Sequence, residues 1–138
     1  MNGEDATDAL GRAARDVGDG PAKVIVVDDE PAIRRFVSRV LARDGIAIVE
    51  AGDGLSAVEA VRADPARLVL VVCDLKLPDV GGEEVIRVAR AIRPDLAIIV
   101  MSGLDPDPGA DALGPVAWLA KPFTAVQLRD AVDATLSR

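Results

Sequence analysis

Four apolar runs in this chain each end in a residue that can do chemistry. Asp28-Asp29-Glu30 follows Lys23 to Val27, Asp74 follows Leu68 to Cys73, Ser102-Gly103 follows Leu96 to Met101, and Lys121-Pro122 comes just after Val116 to Leu119. Taken alone, an Asp behind a strand can equally be a turn former or the start of a cap. Together the residues ask for more, because two carboxylates about 4 Å apart repel by roughly 4 kcal/mol at an effective dielectric of about 20. If Asp28, Asp29 and Asp74 meet, they must raise a pKa or hold a cation. Oxygen donors with few protein ligands favour Mg²⁺, which keeps waters and takes one or two carboxylates plus a phosphate oxygen. Asp74 is then placed as a nucleophile toward a metal-bound phosphoryl group. Lys121 and the Ser102 hydroxyl would bind the remaining phosphoryl oxygens, with Gly103 leaving room for them.

This chemistry requires that the runs be parallel strands with their C-terminal ends together, and the pattern between them supports that. Ile33, Phe36, Val37, Val40 and Leu41 trace one helical face after Pro31, and Asp44-Gly45 ends that helix. Ile46 to Val49 reads as a second strand, and Asp53 caps a helix with Leu55, Val58 and Val61 on its apolar side. Leu68 to Cys73 has the unbroken apolar character of a strand buried on both faces. Glu83 to Ile92 is a further helix ended by Pro94, and Thr124 caps the last one, in which Leu128, Val132 and Leu136 recur. Alternation of strands and helices predicts an α/β fold, a parallel sheet wrapped by helices. Between Met101 and Val116 the rhythm breaks. Pro106, Pro108, Gly109, Gly114 and Pro115 leave only Ala110 to Leu113 for a shortened fourth helix.

The 138 residues, 50% of them hydrophobic, suffice for one domain with its own core. With no histidine, a zinc site and His-based acid/base catalysis are not expected, and the single Cys73 lies in an apolar run, as a buried reduced thiol would. A net charge of -7 argues against a nucleic-acid partner. No stretch has the length of a membrane span, and the acidic start is unlike a signal peptide, so a cytoplasmic location is expected. Residues 1–22, with four glycines among acids, read as an acidic, flexible tail ahead of a domain at 23–138, although Leu10, Ala13, Ala14 and Val17 fall near helical spacing.

Val26-Val27-Asp28-Asp29-Glu30-Pro31, Asp74-Leu75-Lys76-Leu77-Pro78 with Gly82, Met101-Ser102-Gly103 and Trp118-Leu119-Ala120-Lys121-Pro122-Phe123 together resemble the response-regulator receiver domain of two-component signalling. The resemblance covers residues 23–137. It implies a flavodoxin-like (βα)5 doubly wound sheet in the order 2-1-3-4-5. It also implies that Asp74 accepts a phosphoryl group from a phosphohistidine on a sensor histidine kinase or histidine phosphotransfer protein. In that family pattern Asp29 and Asp74 bind Mg²⁺ directly, Asp28 binds it mostly through water, and the Lys76 backbone carbonyl completes the site. Ser102 and Trp118 would be the switch that changes a face recognised by a downstream protein target, and Lys121-Pro122 resembles the family's cis peptide. Lys76 and Leu104 stand where the family tunes hydrolysis, and neither readily orients a water, so a long-lived phosphoform is expected.

The segment from Ser102 to Lys121 is a few residues shorter than is usual in the family, which alters the expected output face. Glu30 reads as a further acid at the rim of the site or as a partner of Lys76. Arg93-Pro94-Asp95-Leu96 and Met101-Ser102-Gly103 look most like receivers of hybrid kinases, so a stand-alone regulator and a relay unit both fit, as a monomer or weak dimer. A receiver catalyses only its own phosphorylation and dephosphorylation and is not otherwise an enzyme. Two other readings compete: a docking scaffold independent of phosphorylation, and an aspartyl-phosphate phosphatase, which would place a D-x-D pair after its first strand where this chain has an adjacent doublet.

Overall fold

In a computed structural model, residues 8–103 and 113–137 are described. Five strands, β1 (Ala22–Val27), β2 (Ile46–Ala51), β3 (Leu68–Asp74), β4 (Ala97–Ser102) and β5 (Ala117–Ala120), form one sheet in the order β2-β1-β3-β4-β5. Every neighbouring pair is parallel. Among the described residues the α-helices are α1 (Ala9–Asp16), α2 (Pro31–Leu41), α3 (Gly54–Arg62), α4 (Gly82–Ile92) and α5 (Ala125–Leu136). The flavodoxin-like architecture and strand order are those expected. The shortened fourth helix expected at Ala110 to Leu113 lies, but for Leu113, outside the described residues.

The strands are Val- and Ile-rich because both faces of the sheet are covered, and successive side chains part to opposite sides. Ile25, Val27, Val71, Cys73, Ile98 and Val100 pack with Ala57 and Val61 of α3 and Val85, Ile86 and Ala89 of α4. Their alternates Val24, Val26, Leu70, Val72, Ile99 and Met101 pack with Val37 and Leu41 of α2 and Leu128 and Val132 of α5. Two apolar layers thus clamp a sheet whose C-terminal edge is left for polar residues. Local signals set the helix ends: Pro31 starts α2, Asp53 caps α3 by accepting from Ser56 N, and Thr124 and Gln127 form a reciprocal capping box on α5.

Two details differ from the sequence reading. Residues 9–16, assigned to a flexible tail, form α1, where Asp8 caps the helix and ion-pairs with Arg43, and Leu10 is only 5% exposed. An eight-residue helix is marginal on its own. It is stabilised here because Leu10 joins the buried apolar cluster that holds Val24, Leu41 and Val132. Leu55, assigned to the apolar side of α3, is exposed, whereas Ala57 and Val61 are buried; the helix begins at Gly54, which turns its second residue outward. Asp74 is the last residue of β3, paired with Met101, at the strand end where the sequence places it.

Candidate functional site

The strand order 2-1-3 means that the chain leaves β1 toward one side of the sheet and β3 toward the other, which opens a crevice at their C-terminal ends. Asp28 and Asp74 stand in that crevice, both buried. Asp29 beside them is exposed, and one carboxylate oxygen from each of the three lies within 4.8 Å of the others. Lys121 reaches in from the end of β5. Its Nζ donates to Asp28 Oδ2 at 2.7 Å and to Asp74 Oδ2 at 2.9 Å, with Glu30 Oε1 at 4.0 Å. The remaining oxygens are held by the main chain: Glu30 N donates to Asp28 Oδ1 at 2.9 Å, and Lys76 N to Asp74 Oδ1 at 3.0 Å.

Charge is unevenly distributed among these groups. Burial pushes the Asp28 carboxyl above the ordinary carboxylate range, against the lowering by its hydrogen bonds from Lys121 and Glu30. Burial also pulls Lys121 down, but hydrogen bonds to Asp28 and Asp74 outweigh it, so the ammonium titrates above the usual lysine range. These shifts pull oppositely on one pair. Two contacts below 3 Å favour the charged pair, with Asp28 carrying the burial cost. The Cys73 thiol behind Asp74 is pushed up by burial and the neighbouring acids, which makes it a packing group and not a nucleophile.

The donor set suits a hard divalent cation. All its groups are oxygens, and oxygens on opposite sides of Mg²⁺ stand about 4.2 Å apart, given metal–oxygen distances of about 2.1 Å. Three carboxylate oxygens within 4.8 Å of one another stand near that spacing.

The loop after Asp74 is fixed to the scaffold at two points. Gly82 N donates to Leu75 O at 2.9 Å, and a Cβ on Gly82 would lie 2.3 Å from the Asp74 carbonyl oxygen, so only glycine lets α4 start this close to β3. Asp79 accepts from Gly54 N at 2.7 Å and Leu55 N at 2.9 Å, capping α3 from another loop. Those bonds, that from Leu55 foremost, hold its carboxyl below the usual range.

Ser102 and Gly103 lie at the end of β4, just beyond Met101, which pairs with Asp74. Ser102 O accepts from Lys121 N at 2.7 Å, whereas its hydroxyl makes only a 3.4 Å contact with the Gly103 carbonyl. Among the described residues, a Cβ on Gly103 would meet nothing within 4 Å. Trp118 is 44% exposed and the Lys121–Pro122 peptide is cis. Leu104 lies outside the described residues. Two contributors escaped the sequence reading. Asp79 resembles any loop acid, and Arg34, whose Nη1 donates to the Asp28 carbonyl at 2.7 Å, resembles any helical arginine. The usable signals were proximity in sequence to Asp74 for the first and to the acidic doublet for the second.

The family model of the response regulator receiver domain matches residues 24–133, and the chain belongs to that family. Sporulation initiation phosphotransferase F of Bacillus subtilis (strain 168) is 32% identical over 117 residues, 83% of this chain and 93% of that protein. The sensor kinase CckA of Brucella abortus (strain 2308) is 33% identical over 122 residues, 86% of this chain but 13% of the kinase. Response regulator MprA of Mycobacterium leprae (strain TN) is 34% identical over 125 residues, and the chain spans 51% of its length. Among solved structures, a response regulator receiver protein from Sinorhizobium medicae WSM419 superposes with a TM-score of 0.74 at 29% identity, over 85% of this chain and 95% of that one. Vibrio cholerae chemotaxis protein CheY4 does so with a TM-score of 0.71 at 27% identity, over 84% and 99%.

Proposed function

We propose that this receiver domain takes a phosphoryl group from a phosphohistidine onto Asp74 and thereby switches its contacts with a protein target. The observation that carries the reading is the Asp74 carboxylate, held at the rim between buried Asp28 and the Lys121 ammonium. A carboxylate oxygen of Asp74 attacks phosphorus, the N–P bond of the donor breaks, and the imidazole leaves with that electron pair. Asp29, Asp74 and the Lys76 backbone carbonyl would hold Mg²⁺, with Asp28 mostly through water, and the bound cation would supply neutralisation of charge on the phosphoryl oxygens. Lys76 N keeps the nucleophile oriented, and Lys121 exchanges its contact with Asp74 for a phosphoryl oxygen. Ser102 follows with its hydroxyl, which among the described residues gives up only a 3.4 Å contact with the Gly103 carbonyl, and the exposed Trp118 turns inward. On this reading the domain sits in the cytoplasm, serves a sensor kinase or phosphotransfer protein, and acts on no separate substrate.

Incubation with acetyl phosphate and Mg²⁺, followed by intact mass measurement, tests the reading. One phosphoryl adduct, absent in Asp74→Asn and after chelation, is expected. No adduct in the wild type would leave a docking scaffold, and sustained release of phosphate would indicate a phosphatase.

A further inference from the structure

Arg34 is the fourth residue of α2, close to the helix end where backbone dipoles favour anions over cations. Its guanidinium is nevertheless engaged. Nη1 donates to the Asp28 main-chain carbonyl at 2.7 Å and Nε to Glu50 Oε1 at 3.3 Å, while Ser38 Oγ, one turn on, donates to Glu50 Oε2 at 3.0 Å. Space is kept for it: a Cβ on Gly52 would lie 3.0 Å from Nη1. Asp28 is thus tied at every polar atom. Its N–H donates to the Ala51 carbonyl at 3.1 Å, its carboxylate accepts from Glu30 N and Lys121, and its carbonyl, at the end of a buried strand, accepts from Arg34. Without Arg34 that carbonyl would lose this partner, and the Asp28 peptide would be free to rotate.

We infer that Arg34 is a positioning residue: braced by Glu50 and Ser38, it fixes the Asp28 peptide and so sets the grip of the acidic cluster on a divalent cation. The inference rests on the reading of Asp28, Asp29 and Asp74 as a cation site. Its sign separates it from plain electrostatics. A guanidinium near the cluster repels a cation, so removal of its charge alone tightens binding. Loss of a positioning contact weakens binding instead, by about tenfold for partners of metal ligands.

Calorimetric titration of Mg²⁺ into the unphosphorylated full chain distinguishes these, using wild type, Arg34→Gln, Glu50→Gln and the double variant, with thermal midpoints measured alongside. A Kd raised about tenfold in Arg34→Gln, with a smaller rise in Glu50→Gln and no further rise in the double variant, is expected. Arg34→Lys, which keeps the charge and one donor, recovers part of the loss. A Kd unchanged or lowered in a folded Arg34→Gln overturns the inference and leaves Arg34 a tie between α2 and β2, visible only in the midpoint. Should Arg34→Gln fail to fold, Arg34→Lys decides, because it keeps the charge: a Kd above that of wild type supports the inference and an unchanged one overturns it. Absence of Mg²⁺ binding by the wild type would overturn the cation site itself, together with what rests on it.

Discussion

Replacing Lys121 with methionine should leave the acids that its ammonium bridges as opposed carboxylates. The ammonium bridges Asp28 and Asp74 at 2.7 and 2.9 Å, and those acids offer oxygens no more than 4.8 Å apart. At an effective dielectric of about 20, repulsion across that distance is about 3 kcal/mol, in line with the cost of breaking a buried pair by removing one partner. Urea unfolding at neutral pH without Mg²⁺ should therefore show the variant about 3 kcal/mol less stable than wild type. The loss should shrink under two conditions. As pH falls, protonation of Asp28, whose carboxyl already titrates above its ordinary value, removes one of the opposed charges. A group with a raised folded-state pKa favours the native state more at lower pH, so the deficit narrows on acidification. Millimolar Mg²⁺ should narrow it as well, by supplying a cation where the ammonium was. A deficit equal at every pH and Mg²⁺ concentration would refute the reasoning and make Lys121 a packing residue.

Gly82→Ala puts a Cβ against the Asp74 carbonyl and the Leu75 Cα, both main chain, so it should destabilise by about 2 kcal/mol in denaturant titration. It should also slow phosphorylation by displacing the loop. Leu10→Ala should cost about 2 kcal/mol if α1 belongs to the core; a change below about 0.5 kcal/mol would return residues 9–16 to the status of a tail. Mg²⁺ affinity should decline on acidification at pH values above the ordinary aspartate value of 3.8, because the raised Asp28 carboxyl must be ionised to help hold the cation. Calorimetric titrations across pH check this, and Asp28→Asn should shift the decline to lower pH.

The sheet was legible because each strand is a short apolar run closed by a polar residue: burial on both faces removes the alternation, and the shortness and Val/Ile content of the runs separate them from helices instead. Asp28, Asp74 and Lys121 were legible for the same reason: each is the polar residue that ends or follows such a run. Leu10 was obscured because a single leucine among glycines and acids carries little periodicity, and the site that receives it is assembled from three distant elements. Arg34 and Asp79 were obscured because their partners are main-chain atoms, which leave no trace in side-chain patterns. Trp118, expected from the family resemblance as a switch residue, is exposed on β5, an edge strand.

The central claim is that Asp74 itself becomes the acyl phosphate. Borohydride reduces an aspartyl phosphate to homoserine, so trapping after reaction with a phosphodonor and Mg²⁺, followed by peptide mass spectrometry, reads the acceptor directly. Homoserine at position 74 and at no other carboxylate is the predicted result. Homoserine at Asp28 or Asp29, or at no acidic residue, would contradict it.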